Sequence, residues 1–136
     1  LIYIAVLCII RSSAMHSRFE SRGMSQSKEL VAASATSMVL TIVSRGETYG
    51  YAISKEIREV SDAQIEWTDG MLYPVLRRLE KQGLLKSRWC VAESGKRRRY
   101  YTINKSGQQK LADYKQQWQM TNRVLNSLWE GAGCMT

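Results

Sequence analysis

The apolar positions change period along the chain, and the changes mark out its elements. From Lys28 to Ser44, Val31, Ala35, Met38, Val39, Ile42 and Val43 recur at three- and four-residue spacing, which predicts an amphipathic helix closed by Gly46. Gly50 to Val60 repeats the pattern, with Ile53, Ile57 and Val60 apolar and Lys55, Glu56, Arg58 and Glu59 on a polar face. A third helix is expected to begin at Thr68, whose hydroxyl suits an N-cap, and to run through DGMLYPVLRRLEKQ to a stop at Gly83. Pro74 cannot donate to the Gly70 carbonyl and crowds it, so a kinked or late-starting first turn is expected. At helical spacing Leu72, Leu76 and Leu79 share one side. Gly70, Tyr73, Arg77 and Lys81 project from the other, with Arg78 on the flank.

After Gly83 the period shortens. LLKSRWCVA and RRYYTI carry strand-forming residues and are separated by Glu93-Ser94-Gly95-Lys96, which predicts a β-hairpin. Tyr100 and Tyr101 fall on opposite faces, so one packs inward and the other lies outward. Trp67 and Trp89 are expected to be core or edge aromatics. A last helix, opened by Asn104, runs from about Lys105 to Trp129. Leu111, Tyr114, Trp118, Thr121, Leu125 and Leu128 form a stripe on it like the seam of a coiled coil. Such a helix extends nearly 40 Å, at about 1.5 Å per residue, more than so small a core can cover. Its far half is therefore expected to meet another subunit.

Composition narrows the class. The 136 residues are 44% hydrophobic with a single proline, which supports one compact domain and excludes an intrinsically disordered chain. The net charge is +8, and residues 77–105 alone hold ten basic and two acidic side chains, also +8. So local an excess fits an acidic polymer or a membrane surface. Cys8, Cys90 and Cys134 form neither a CxxC pair nor an even-numbered framework, which points to a reducing cytoplasm. The single histidine, His16, leaves no base for a histidine-dependent catalytic site. Glu56, Glu59 and Asp62 have lysine and arginine neighbours and read as surface pairs, so neither an enzyme nor a cofactor is expected.

The opening run LIYIAVLCII is half of the roughly 20 apolar residues a membrane span needs, and Arg11 ends it. A signal peptide would carry its cations before the run, whereas Arg11, Arg18 and Arg22 follow it. Residues 1–23 are read as a disordered or artefactual extension, with the functional polypeptide opening near Met24. The competing reading is a truncated membrane anchor at residues 1–10 that tethers the protein.

Three helices, then a basic hairpin, is the order of a winged helix-turn-helix. The fold class is therefore mainly α with a small two-stranded β-hairpin (α+β), carrying a long C-terminal dimerisation helix. Residues 24–104 would form the winged helix, 105–130 the dimerisation helix and 131–136 a tail. DNA carries one charge per about 1.7 Å of axis, which suits a groove-sized basic face.

The residues also carry a family resemblance. Gly50-Tyr51 with Ile53, Gly70-Met71-Leu72-Tyr73-Pro74, Leu76-Arg77-Arg78-Leu79-Glu80 and Gly83-Leu84-Leu85 occur in that order. Gly95-Lys96-Arg97-Arg98-Arg99-Tyr100-Tyr101 and Thr102-Ile103-Asn104 ending in Gly107 follow. Together, over residues 36–129, they resemble the PadR family of transcriptional regulators. The resemblance implies a homodimeric repressor on an inverted-repeat operator. The third helix would enter the major groove through Thr68, Gly70, Tyr73, Arg77, Arg78 and Lys81, with Arg77 the candidate base reader. The wing residues Lys96, Arg97, Arg98 and Arg99 would reach phosphates or the minor groove, and the stripe from Leu111 to Leu128 would form the dimer interface. Trp118 resembles the tryptophan that sandwiches flat aromatic effectors in multidrug-sensing members, with Met38 a second candidate lining residue. The alternative partners are RNA or an acidic protein.

Overall fold

A computed structural model describes residues 27–132. It contains helices α1 (Lys28–Ser44), α2 (Gly50–Val60), α3 (Asp69–Lys81) and α4 (Lys105–Ala132), with strands β1 (Thr48–Tyr49), β2 (Leu85–Val91) and β3 (Arg97–Ile103). Residues 1–23, with the expected extension or membrane anchor, lie outside the described residues, as does the tail beyond 132.

Periodicity explains the helices. Ala35, Val39, Leu40 and Val43 of α1, Ile53 and Ile57 of α2, and Leu72, Leu76 and Leu79 of α3 converge in one core with Leu85, Tyr101 and Leu111. α1 opens on a Ser27 cap whose hydroxyl accepts from the Leu30 N–H. α3 begins at Asp69 and continues through Pro74, so the expected late start does not occur; the Thr68 carbonyl instead accepts from both Met71 and Leu72. At its other end, Leu84 N–H donates to Leu79 O and Gly83 N–H to Glu80 O, each at 3.0 Å. That paired closure needs a left-handed residue, which Gly83 supplies at φ +74°. It turns Leu84 and Leu85 straight into the core.

The expected two-stranded hairpin is one part of a three-stranded antiparallel sheet, ordered β1-β3-β2. Thr48 and Tyr49 pair with Tyr101 and Tyr100, so the short connection between α1 and α2 covers the otherwise open edge of β3. Tyr101 is buried, and Tyr100 lies half-buried on the opposite face, edge-on to Tyr49 at 5.5 Å between ring centroids.

Burial raises the Tyr101 phenol above its ordinary pKa of 10, and Arg99 partly offsets the shift. The unfolded chain therefore ionises first, and stability present below pH 10 is lost as the pH rises past it. Replacing Tyr101 with Phe should make the fall in Tm above pH 10 shallower. Parallel pH–melting curves for the two proteins would argue against this origin of alkaline sensitivity.

Candidate nucleic-acid interface

Because α3 buries Leu72, Leu76 and Leu79, its opposite side turns Gly70, Tyr73, Arg77 and Lys81 to solvent. Thr68 stands exposed at the head of the helix, with its hydroxyl making no capping bond. Tyr73 is partly exposed, and its hydroxyl lies 3.0 Å from where a Cβ on Gly50 would sit, so the ring reaches from α3 to the first turn of α2. Arg78 has a different position. Its Nη2 donates to Thr36 Oγ1 at 2.9 Å, tying α3 to α1 beneath it.

The four consecutive wing cations separate by strand alternation. Lys96 and Arg97 are exposed, and Arg97 lies over the Trp89 ring at 5.1 Å. Arg98 is on the opposite face, half-buried over Tyr49 at 4.8 Å. Arg99 corrects the expectation of four presented cations. Its Nη2 pairs with Glu80 Oε2 at 2.7 Å and its Nε donates to Ser87 Oγ at 2.9 Å, while Ser87 donates to the other Glu80 oxygen. This guanidinium joins the wing to α3, with its Nε and Nη2 bonded within the fold.

Other cations are also neutralised within the fold. Arg88 grips Glu47 with two hydrogen bonds, one of 2.8 Å, which hold the Glu47 carboxyl below its usual pKa and raise that of Arg88. Arg45 pairs with Glu56 and Arg58 with Glu66. By contrast, Arg77, Lys81, Lys96 and Arg97 form no ion pair with a carboxylate among the described residues.

The seam of α4 divides in two. Asn104 Oδ1 accepts from Gly107 N–H at 2.9 Å and its amide donates to Gly83 O, fixing the start of α4 against the end of α3. From there the helix crosses α1. Leu111, expected at a dimer interface, is instead buried in the core of its own protomer, and Tyr114 is half-buried against that core. Trp118 is half-buried, and its Nε1 donates to Ser37 Oγ on α1 at 3.1 Å. Met38 is also half-buried and packs against the core. An open hollow of about 550 Å³ has a different lining, which includes Tyr49, Tyr51, Lys55 and Glu59.

Thr121, Leu125 and Leu128 are exposed. Met120 (66%), Val124 (52%) and Trp129 (66%) are exposed beside them. These three were absent from the expected seam, although Met120, Val124 and Leu128 follow one another at four-residue steps that the sequence displays.

Comparison with known proteins decides what this arrangement serves. The profile described as "Transcriptional regulator PadR-like family" matches residues 39–113, more than half of the chain. The chain belongs to the PadR-like family of transcriptional regulators. Its fold is similar to that of a transcriptional regulator from Clostridium thermocellum, with a TM-score of 0.68 and 32% identity, covering 74% of this chain and 97% of that one. A PadR family transcriptional regulator from Eggerthella lenta is 31% identical with a TM-score of 0.65, covering 93% of this chain and 97% of that one. An uncharacterised protein of Lysinibacillus sphaericus is 27% identical over 95 residues, 70% of this chain and 87% of its own length. As a PadR-like protein this chain is a DNA-binding transcription regulator and not an enzyme. No helix among the described residues is long and apolar enough to cross a membrane.

Proposed function

We propose that this PadR-like regulator is a homodimeric repressor of an imperfect inverted-repeat operator. Each protomer places α3 in a major groove and its wing tip on the adjacent backbone. The observation that carries the reading is the division of the cations. Arg45, Lys55, Arg58, Arg88 and Arg99 have glutamate partners, whereas Arg77 and Lys81 on α3 and Lys96, Arg97 and Arg98 on the wing have none among the described residues. A cluster of unpaired cations is disfavoured by its own repulsion and becomes favourable on a polyanion, which releases counterions as it binds.

Within that arrangement Arg77 is the base reader, since its planar guanidinium can pair bidentately with guanine. Tyr73, Lys81 and Lys96 fix register on the phosphates, and Gly70 lets the head of α3 approach closely. The exposed apolar end of α4 supplies the dimer contact, which sets two half-sites about 34 to 36 Å apart. A dimer over two successive major grooves excludes other proteins from that DNA, and repression follows. A flat aromatic effector would stack on the indole face of Trp118, whose N–H donates to Ser37 Oγ and so sets the ring against α1.

Arg77→Ala should lower discrimination between operator and random duplex by about 1 to 2 kcal/mol. Lys96→Ala should weaken both DNAs alike and reduce the salt slope by about 1. Fluorescence anisotropy titrations across a salt series measure both. Equal losses on the two DNAs for Arg77→Ala would remove it from the reading role, and weak, salt-insensitive binding by the unmodified protein would sink the proposal.

A further inference from the structure

We infer that Trp89 is a positioning residue of the wing, holding the Arg97 guanidinium ready for the DNA backbone. The inference rests on the DNA-binding reading above and adds to it a residue that carries no charge.

Burial does not explain Trp89. It is 57% exposed on a narrow hairpin, and Val91, two residues on, is 64% exposed. The strand register pairs Trp89 with Arg99 and Val91 with Arg97. Strand alternation places all four on the face shared with Tyr101, the face from which Arg99 reaches Glu80 on α3. The indole takes a guanidinium from each neighbour, Arg97 at 5.1 Å and Arg99 at 5.8 Å from its centroid. The two arginines differ in what else holds them. Arg99 is fixed by Glu80 and Ser87, whereas Arg97 has no carboxylate partner among the described residues.

A chain of contacts therefore runs from the recognition helix to the wing tip through Glu80, Arg99, Trp89 and Arg97. Its anchored end sets the indole, and the indole restrains the free arginine. A long side chain at a hairpin tip loses rotamer freedom when it docks on a phosphate. Attraction to the indole face removes part of that loss beforehand and leaves the outward N–H groups available. Trp89 is expected to act through Arg97, not by stacking on a base.

The test is a double-mutant cycle on duplex binding, read by anisotropy, with Tm measured for every variant. Trp89→Leu should lower affinity about threefold at unchanged Tm, and Trp89→Tyr should restore most of it because an aromatic face is retained. The fold loss caused by Arg97→Ala should be about threefold smaller in the Trp89→Leu background than in the unmodified protein. Multiplicative losses, or a Trp89→Tyr protein no better than Trp89→Leu, would overturn the inference while leaving DNA binding intact. An unmodified protein that binds no duplex would overturn the reading beneath it.

Discussion

Gly107→Ala is expected to destabilise the protein by about 3 kcal/mol, although alanine is the better helix former by about 1 kcal/mol. Gly107 is buried in the first turn of α4, where that helix meets the end of β3 and Leu84, just past the closing turn of α3. A Cβ there would stand 2.2 Å from Leu84 O and 2.6 Å from Ile103 Cγ1. The first is backbone and cannot rotate away. Leu84 is held from the other side by its N–H bond to Leu79 O, and its carbonyl also accepts from Asn104 N–H. Relief therefore requires α4 to lift off the sheet or the closure of α3 to open. For a folded unit of this size the loss amounts to more than about 10 °C in Tm. Gly131, also on α4 but exposed with nothing within 4 Å of its Cβ position, is the control. Gly131→Ala should leave Tm unchanged or slightly higher. A Gly107→Ala protein that melts at or above the unmodified one would refute the packing described for this junction.

Leu125→Glu combined with Leu128→Glu should yield a folded monomer whose operator affinity is lower by about 100-fold or more. Both side chains are exposed, at 36% and 63%, so their loss takes little from the protomer's core. With Met120, Val124 and Trp129 they form an exposed apolar surface on the C-terminal part of α4. Four buried carboxylates across a two-fold contact would be strongly unfavourable. If two half-sites are bound by one dimer, the second contact is intramolecular, and losing it removes the effective concentration that the first provides. Sedimentation velocity reads the assembly and anisotropy on an inverted repeat reads the affinity. A double variant that remains dimeric, or a monomer that binds the repeat as tightly as before, would contradict this role for the end of α4.

α2 and α3 were legible from their apolar stripes, and Leu72, Leu76 and Leu79 lie in the core as their spacing requires; α1 is apolar nearly all round, so spacing did not single out Leu40, which is fully buried. β1 was not legible. The two residues of β1, Thr48 and Tyr49, are too few to show a period, and their partners Tyr101 and Tyr100 are some fifty positions away. The seam of α4 was legible as apolar but not as to what covers it. Leu111 and Tyr114 face their own core because Asn104 anchors the helix start beside Gly83, a contact between distant segments. The wing shows the same limit. Alternation alone puts Arg97 and Arg99 on the face of Tyr101, yet only the fold reveals that Glu80 takes Arg99 and leaves Arg97 with the indole of Trp89. Likewise, helical spacing puts Arg78 on the flank of the face that carries Arg77, but its bond to Thr36 on α1 is visible only in the fold.

The most direct measurement is selection of bound sequences from a random duplex library by the purified protein at physiological salt. An imperfect inverted repeat should emerge, with half-site centres about one helical turn, 34 to 36 Å, apart. The guanine contacts in each half-site should lose their enrichment when selection is repeated with Arg77→Ala. A pool that shows no shared motif, or a single asymmetric site bound by one protomer, would contradict a two-fold regulator that reads DNA through α3.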